Sequence, residues 1–311
     1  MVRNLDSVPR ISYFGPTGTF TEMALARFEE LGAFDAAVDR IAAPSQPAAL
    51  QLLRDGHVDG AVVPIESSVD GSVSPTMDAL ARGARLQIVA ETELDIAFTV
   101  VVRPGTTRDR IATVGAYPVA AAQVREWLAE NLPDARIVPA SSNAGAAEDV
   151  AAGDVDAGVS TAIAGRRLEL DVYADGVADH AGARTRFVLL TRPVPVPERT
   201  GRDRTSVILQ LPNVPGSLVR AMSEFGSRGI DLTRIESRPT REEYGTYFFH
   251  LDCIGHIDDP LVAEALQALH RFAGVRFLGS WPAVSDQGVP PVAVDDDAAW
   301  LERLRRGEEP R

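Results

Sequence analysis

Along the first half of the chain, hydrophobic residues recur first at strand spacing and then at helical spacing. This pattern predicts strands and helices in turn. Residues 11–14 alternate like a short strand, residues 15–18 form a glycine turn, and apolar residues from 20 to 31 recur at helical spacing. Thr19 and Glu22 have the spacing of a capping box at the start of that helix. Strands alternating with helices are typical of an α/β fold with parallel strands.

The same alternation continues towards residue 102. A helix is predicted over residues 46–55 and a buried strand over 58–63, followed by the polar stretch 64–73. Ser74 and Pro75 then have the order expected at a helix start. Two further strands are predicted over residues 86–90 and 96–102.

Residues 110–165 repeat this plan. The segment 56–62 also resembles 153–159, and each lies where a helix gives way to a strand. Two similar α/β lobes are therefore predicted, and the cleft between two lobes is a usual place for a small-molecule site. The elements predicted in the repeat are a strand over 112–114, a helix over 118–131, a strand over 135–139 and a helix over 144–152.

Polar residues at the ends of two predicted strands are the first candidates for chemistry. Glu66, Ser67 and Ser68 follow the strand 58–63, and in open α/β sheets ligands bind at that position. Thr185 and Arg186 open the apolar strand 188–190, where a hydroxyl and a guanidinium can face a cleft together. From the residues alone, a loop with self-bonded serines and a structural arginine remain the alternatives.

The predicted helix start near Thr19 is a third candidate. Free backbone N–H groups at a helix amino terminus attract carboxylates. The alternative is that the glycines here only make a turn and that Thr19 only caps the helix.

A different pattern begins after the proline-containing linker at residues 194–203. Its βαββαβ order predicts a ferredoxin-like domain, with helices on one face of an antiparallel sheet. The proline- and aspartate-rich tail from residue 283 is expected to be mobile, with a short helix over 298–306. The predicted elements of the domain are strand 206–211, helix 217–228, strands 232–237 and 247–253, helix 261–272 and strand 275–278.

Composition excludes several classes of function. The formal net charge of −13 argues against nucleic acid as a partner, since such binding neutralises phosphates with clustered cations. All 31 basic residues are arginine, so lysine Schiff-base chemistry and a Walker A lysine are excluded. The single cysteine, Cys253, excludes an intrachain disulfide and a cysteine-rich metal site, and we expect neither a metal nor a cofactor.

The chain has the composition of a globular protein, with 45% hydrophobic and 24% charged residues among 311. No apolar run is long enough for a membrane span, and residues 1–10 lack the apolar region of a secretory signal. A cytoplasmic location without a membrane partner is therefore expected.

Four motifs together resemble one enzyme family, the prephenate dehydratases. They occur in the family's order, and the resemblance covers about residues 10–282. The chain resembles the single-function actinobacterial type, since no chorismate mutase segment precedes residue 10. The motifs are Gly-Pro-Thr-Gly-Thr-Phe-Thr-Glu at 15–22, Pro-Ile-Glu-Ser-Ser with Gly-Ser-Val at 64–68 and 71–73, Thr-Arg-Phe at 185–187 and Ile-Glu-Ser-Arg-Pro at 235–239.

The resemblance implies a two-lobed catalytic domain, like type II periplasmic binding proteins, followed by an ACT domain. The catalytic domain would take residues 1–193, with lobe one at about 9–93 plus 185–193 and lobe two at about 94–184. The linker at 194–203, the ACT regulatory domain at 204–282 and the tail at 283–311 would follow.

The activity implied is the conversion of prephenate to phenylpyruvate, with loss of carbon dioxide and water, in phenylalanine biosynthesis. Thr185 is the candidate donor to the leaving oxygen, and Arg186 is a candidate anchor for a substrate carboxylate. By the same resemblance, the expected catalytic residues are Thr185, Arg186, Glu66 and Ser67, and the expected substrate-binding residues are Thr17, Gly18, Thr19, Phe20, Ser68 and Phe187.

The ACT resemblance implies that phenylalanine binds as an effector and inhibits a homo-oligomer, a dimer or tetramer paired through these domains. The expected effector-binding residues are Asn213, Val214, Pro215, Gly216, Ser217 and Leu218 in the first loop and Glu236, Ser237, Arg238 and Pro239 at a strand end.

Some residues depart from the family pattern. Ser67 and Ala183 stand where the family usually has asparagine, and Ser217 replaces an alanine. Residues 116–119, Ala-Tyr-Pro-Val, take the place of a Ser-His-Pro-Gln motif. Two other functions fit the sequence: a cyclohexadienyl dehydratase that also accepts arogenate, and a non-enzymatic sensor that binds amino acids.

Overall fold

The structure, a computed structural model, describes residues 8–285, 287–292 and 295–308, and for 295–299 it describes the backbone alone. The chain forms two compact units. The first contains Met1–Ala79 and Thr92–Arg192, and the second contains Leu80–Glu91 and Pro193–Arg311.

Two α/β lobes make up the first unit, as the sequence predicts, and α3 and β5 continue from it into the second unit. In chain order the elements are β1 (Arg10–Phe14), α1 (Phe20–Glu30), β2 (Asp39–Ala43), α2 (Gln46–Arg54), β3 (Gly60–Ser67), β4 (Gly71–Ser72), α3 (Ser74–Ala81), β5 (Gln87–Asp95), β6 (Thr99–Val102), a 3₁₀ turn (Arg108–Arg110), β7 (Thr113–Ala116), α4 (Pro118–Gln123), α5 (Arg125–Asn131), β8 (Arg136–Pro139), α6 (Asn143–Ala152), β9 (Ala157–Ser160), α7 (Ala162–Arg167), β10 (Asp171–Asp175) and β11 (Arg184–Thr191).

The strand order confirms the internal repeat. The first sheet runs β2-β1-β3-β11-β5, with β4 paired to β3, and the second runs β10-β6-β9-β7-β8. In the first lobe β1 lies parallel to both β2 and β3, and in the second β7 lies parallel to both β8 and β9. The two similar sequence segments occupy equivalent places, the junctions of α2 with β3 and of α6 with β9.

The prediction of a polar loop immediately after residue 63 is wrong, because β3 continues to Ser67. Beyond Val62 the strand has left its pairing with β1, so Pro64 interrupts no hydrogen bond on that side. On the other side it pairs with β11, with Thr185 opposite Ser67. The short β4 adds a second partner at its end.

The helix predicted over residues 118–131 is divided into α4 and α5. Val124 between them has φ −123° and ψ 15°, outside the helical region. The pattern also missed β2, β10 and α7, which are short and largely polar or half-exposed, so their periodicity is weak.

A close approach between helix and sheet organises the second lobe. A Cβ atom added at Gly158 would lie only 2.6 Å from the Ala146 carbonyl oxygen. The alanine-rich α6 and this glycine thus let the helix backbone lie directly on β9.

The second unit is a βαββαβ domain, which confirms the predicted ferredoxin-like order. The four strands form an antiparallel sheet in the order β13-β14-β12-β15. Val207, Leu209, Phe225, Leu251 and Leu269 form its apolar core with the helices. The elements are β12 (Asp203–Gln210), α8 (Ser217–Gly226), β13 (Leu232–Pro239), β14 (Tyr247–Ile254), α9 (Pro260–His270), β15 (Gly274–Pro282) and, in the tail, α10 (Asp295–Arg305).

Residues 80–91 belong to this second unit, whereas the predicted boundaries placed them in lobe one. A buried ion pair holds the segment, with the Arg204 Nε atom 3.3 Å from Glu91 Oε2. Part of the tail also packs here, because the Val284 amide donates to Glu91 Oε1 at 3.0 Å and the Val289 amide donates to Asp231 at 3.0 Å.

Candidate active site

A cavity of about 360 Å³ lies in the first unit, lined by residues from both lobes. Most lining side chains are apolar, hydroxyl or amide groups. The lining residues are Phe14, Thr19, Phe20, Thr21, Gln46, Pro64, Ser67, Asp70, Gly71, Ser72, Val73, Ser74, Pro75, Ile96, Phe98, Tyr117, Val119, Ala120, Gln123, Ser142, Asn143, Thr185 and Phe187.

Among the described elements, four helices of eight residues or more begin at this cavity. They are α1, α2, α3 and α6, whose first turns contribute Phe20, Gln46, Ser74 and Asn143 to the lining. The first N–H groups of a helix lack intrahelical partners and carry partial positive charge. Their convergence makes the cavity suited to an anion with more than one carboxylate.

Formal charge is nearly absent from the lining. Among the described residues that line the cavity, Asp70 is the one acidic or basic side chain. The Gln123 amide donates to the Asp70 carboxylate, which links the lobes across the cleft. Helix termini and hydroxyl groups, rather than arginine, therefore supply the attraction for an anion.

Thr185 and Ser67 are direct neighbours on the β3–β11 ladder, and both line the cavity. The Ser67 Oγ atom accepts hydrogen bonds from the amides of Val69 and Asp70, each at 3.2 Å. Within the part of the chain that the structure describes, the Thr185 hydroxyl has no side-chain hydrogen bond. Thr185 can therefore donate to a bound ligand.

Arg186 and Glu66 are the next cross-strand pair, and neither lines the cavity. Arg186 Nη2 lies 2.8 Å from Glu66 Oε2, and the Arg186 side chain is 5% exposed. Successive strand residues point to opposite faces of a sheet, so this ion pair lies behind Thr185 and Ser67. Its location suits a role in holding the ladder, whereas the sequence predicts direct substrate contact.

The predicted substrate-binding residues divide into two groups. Thr19, Phe20 and Phe187 line the cavity, whereas Thr17, Gly18 and Ser68 do not. The latter three are engaged elsewhere: Thr17 Oγ1 lies 3.3 Å from the Tyr13 hydroxyl, the Gly18 amide donates to Glu22 at 2.6 Å, and Ser68 Oγ accepts from the Arg184 amide at 2.9 Å.

Sequence reasoning missed the contribution of the second lobe. Tyr117, Gln123 and Asn143 line the cavity, and burial raises the pKa of the Tyr117 phenol. Tyr117 therefore remains a hydrogen-bond donor at neutral pH. The internal repeat could have identified these positions, because α4 and α6 begin after β7 and β8 as α1 and α2 begin after β1 and β2.

A smaller cavity of about 210 Å³ lies in the second unit, beside the start of α8. Asn213, Val214, Gly216, Ser217 and Leu218 line it, and Gly216 has the left-handed φ of +84°. The other predicted effector residues do not line it within one chain. They are Pro215, Glu236, Ser237, Arg238 and Pro239. The latter four belong to β13, an edge strand of the sheet.

Over residues 8–285, 287–292 and 295–308, no group of histidine, cysteine, aspartate or glutamate is arranged to hold a metal ion. None of the helices in these ranges is both long and apolar enough to span a bilayer.

The fold and the anion-attracting cavity define a two-lobed α/β ligand-binding domain of the periplasmic-binding-protein type, joined to a ferredoxin-like unit. The family model for prephenate dehydratase matches residues 11–194, and the model for the ACT domain matches residues 205–271. The chain belongs to the prephenate dehydratase family.

Similar proteins support this assignment over nearly the full chain. A prephenate dehydratase of Mycolicibacterium vanbaalenii is 59% identical over 310 residues, covering 96% of this chain and 99% of the relative. The corresponding Mycobacterium tuberculosis protein is 57% identical over 304 residues, covering 96% and 95%. A solved prephenate dehydratase of Arthrobacter aurescens, in complex with L-Phe, has a TM-score of 0.85 at 38% identity and covers 96% of this chain and 100% of its own.

Proposed function

We propose that this protein converts prephenate to phenylpyruvate, a carbon–oxygen lyase step in phenylalanine biosynthesis. Family membership supports the reaction. The structural observation that carries it is the convergence of four helix amino termini on one cavity. Prephenate has two carboxylates, and this arrangement attracts both without an arginine in the lining.

In the proposed reaction the ring carboxylate leaves as carbon dioxide and its bonding electrons aromatise the ring. The C4 hydroxyl leaves as water after taking up one proton, which solvent supplies, so prephenate and one proton give phenylpyruvate, carbon dioxide and water. Thr185 stands as the donor to that departing oxygen, with Ser67 beside it on the ladder. A well-placed donor stabilises developing charge by about 2 to 4 kcal/mol. The reaction transfers no electrons to an external acceptor, so we propose no cofactor.

A second activity, dehydration of arogenate, is favoured by one observation. Asp70 is the charged side chain of the lining, and its carboxylate would attract the ammonium group that arogenate has and prephenate lacks. The test is to assay each substrate with the native protein and with Asp70→Asn. Selective loss of arogenate turnover in the variant would support dual specificity, whereas no arogenate turnover in the native protein would exclude it.

We also propose that L-phenylalanine binds the 210 Å³ pocket of the ACT unit and inhibits the enzyme. The Arthrobacter aurescens relative was solved with L-Phe bound, and the left-handed Gly216 lets the backbone approach a ligand closely.

Ser217→Leu fills that pocket, so we expect the inhibition constant for phenylalanine to rise at least about tenfold, with basal turnover retained. Ser223→Leu is the matched control, because Ser223 is an exposed residue of the same helix. Steady-state inhibition curves measure the effect. Equal inhibition of Ser217→Leu and the native protein would place the effector elsewhere.

The proposed quaternary state is a homodimer or homotetramer that pairs through its ACT units. The proposed location is the cytoplasm. Apolar side chains near the effector pocket and on the edge strand support the pairing, since Val219 is 70% exposed and Ile235 is 53% exposed. Sedimentation velocity measures the assembly, and a monomer at micromolar concentration would contradict the proposal.

A further inference from the structure

A third cavity, of about 440 Å³, lies in the second unit and shares no lining residue with the effector pocket. Ile208, Phe248 and Val275 supply apolar surface. Arg82 and Arg276 supply guanidinium groups, the former from the segment Leu80–Glu91 and the latter from β15. The cavity therefore combines apolar surface with two guanidinium groups against the one carboxylate of Glu242, in a chain of net charge −13.

Arg276 has a neighbour of like charge, Arg85, and the structure gives neither a carboxylate partner within the described ranges. Burial, and then the charge of Arg85, lower the pKa of Arg276. Both groups donate to main-chain carbonyls: Arg276 to Gly83 at 3.1 and 3.0 Å, and Arg85 to Phe277 at 3.2 Å.

These hydrogen bonds to carbonyl oxygens join residues 83–85 to β15. Joining them does not by itself require a charged side chain. Neutral donors can satisfy carbonyl oxygens, whereas two nearby cations repel each other and lose hydration. An anion bound to Arg276 offsets these costs, since arginine pairs strongly with a carboxylate.

We propose that this cavity binds a small organic carboxylate with an apolar body. The carboxylate contacts Arg276, and the apolar body lies on Phe248 and Ile208. The site does not depend on the reaction proposed above, and it is separate from the pocket beside α8.

Two sources share this ligand chemistry, an aromatic amino acid and an aromatic acid without an ammonium group. Glu242 also lines the cavity and is exposed. Its carboxylate would accept an ammonium group, so it distinguishes the two sources.

The test is calorimetric titration of the full-length protein with 3-phenylpropanoate, which has the carboxylate and the ring but no ammonium group. We expect binding to weaken at least about tenfold in Arg276→Met, which removes the charged partner. Arg271→Met is the matched control, because Arg271 is an exposed arginine of the same unit that does not line the cavity.

A second variant fills the cavity and leaves both arginines in place. Gly274 lines it, and the nearest atoms to an added Cβ would all belong to Gln210, at 3.4 to 3.8 Å, which are ordinary contacts. We therefore expect Gly274→Met to fold and to abolish binding. No binding to the native protein, or equal binding to the native protein, Arg276→Met and Gly274→Met, would overturn the proposal.

A parallel titration with L-tryptophan shows whether the ligand is an aromatic amino acid or an aromatic acid without an ammonium group. If the ligand is an amino acid, L-tryptophan binds more tightly than 3-phenylpropanoate, and Glu242→Gln removes that difference. If the ligand is an acid without an ammonium group, 3-phenylpropanoate binds more tightly. Glu242→Gln then leaves the binding of 3-phenylpropanoate unchanged or strengthens it. Either result supports the site, provided that Arg276→Met weakens binding.

Discussion

Thr185 and Arg186 show how one strand divides two tasks between adjacent residues. Thr185 faces the cavity, whereas Arg186 is 5% exposed and paired with Glu66. Alternation along β11 makes this division unavoidable, because neighbouring side chains point to opposite faces. We infer that the ion pair positions the ladder and that the hydroxyl acts on substrate.

The first prediction is that Thr185→Ala lowers kcat by about two orders of magnitude, since one well-placed donor is lost. Thr185→Ser keeps a hydroxyl at the same ladder position, so it should recover most of the turnover. Steady-state kinetics on folded protein, verified by circular dichroism, measure both. Near-normal turnover of the alanine variant would remove Thr185 from the mechanism.

Among single residues, the sequence predicted part of the cavity lining. Motif resemblance identified Thr185, Ser67, Thr19, Phe20 and Phe187, all of which line the cavity. It could not reveal which motif residues point away, because that depends on where β3 ends and how it pairs. Tyr117 and Asn143 were missed because no motif marks them, although the internal repeat places them after β7 and β8.

Among the elements, the two βαβαβ halves were predictable because turn glycines, helix caps and β-branched runs recur in order. The continuation of β3 through Pro64 was not, since a proline usually ends a strand and only the absence of a partner on one side permits it here. The break between α4 and α5 at Val124 was likewise not predictable, because no glycine or proline lies beside that residue.

Close packing of α6 on β9 gives the second prediction. Gly158→Ala would place a Cβ 2.6 Å from the Ala146 carbonyl oxygen, so the helix must shift and stability should fall by about 1 to 3 kcal/mol. Gly226→Ala is the control, because a Cβ there meets nothing within 4 Å and alanine favours helix. Urea unfolding measures both; equal stability of the two variants would contradict this packing.

Asp156 gives a prediction on pH. Its Oδ2 atom accepts from the Thr113 hydroxyl at 2.8 Å and from the amides of Ala112 and Thr113 at 3.0 and 2.9 Å. These bonds, the Thr113 hydroxyl foremost, and the charge of Arg103 lower the pKa of Asp156 below 3.8, although partial burial opposes them. The ionised form is thus favoured in the folded state.

A lowered folded-state pKa stabilises the protein above the unfolded-state value, and this stabilisation is lost as pH falls through the folded-state value. Asp156→Asn should therefore cost about 1 kcal/mol at pH 7. The difference from the native protein should shrink as pH falls below 3.8. Urea midpoints across that range provide the measurement, and a difference that grew towards acid would contradict the assignment.

For the whole molecule, the order of a two-lobed unit followed by a βαββαβ unit was predictable from the sequence. The assignment of residues 80–91 to the second unit was not, because it depends on long-range contacts such as the buried Arg204–Glu91 pair. Removing residues 204–311 would take Arg204 from Glu91, and losing one partner of a buried pair is strongly destabilising. Effector control is therefore better tested by substitution than by truncation.

We infer that prephenate loses carbon dioxide and water together in the two-lobed cavity. The most direct measurement follows phenylpyruvate and carbon dioxide together when purified native protein is mixed with prephenate, with Thr185→Ala in parallel. We expect both products to form in equal amounts and the variant to slow the formation of both by about a hundredfold. Binding of prephenate without either product, or equal rates for the two proteins, would contradict it.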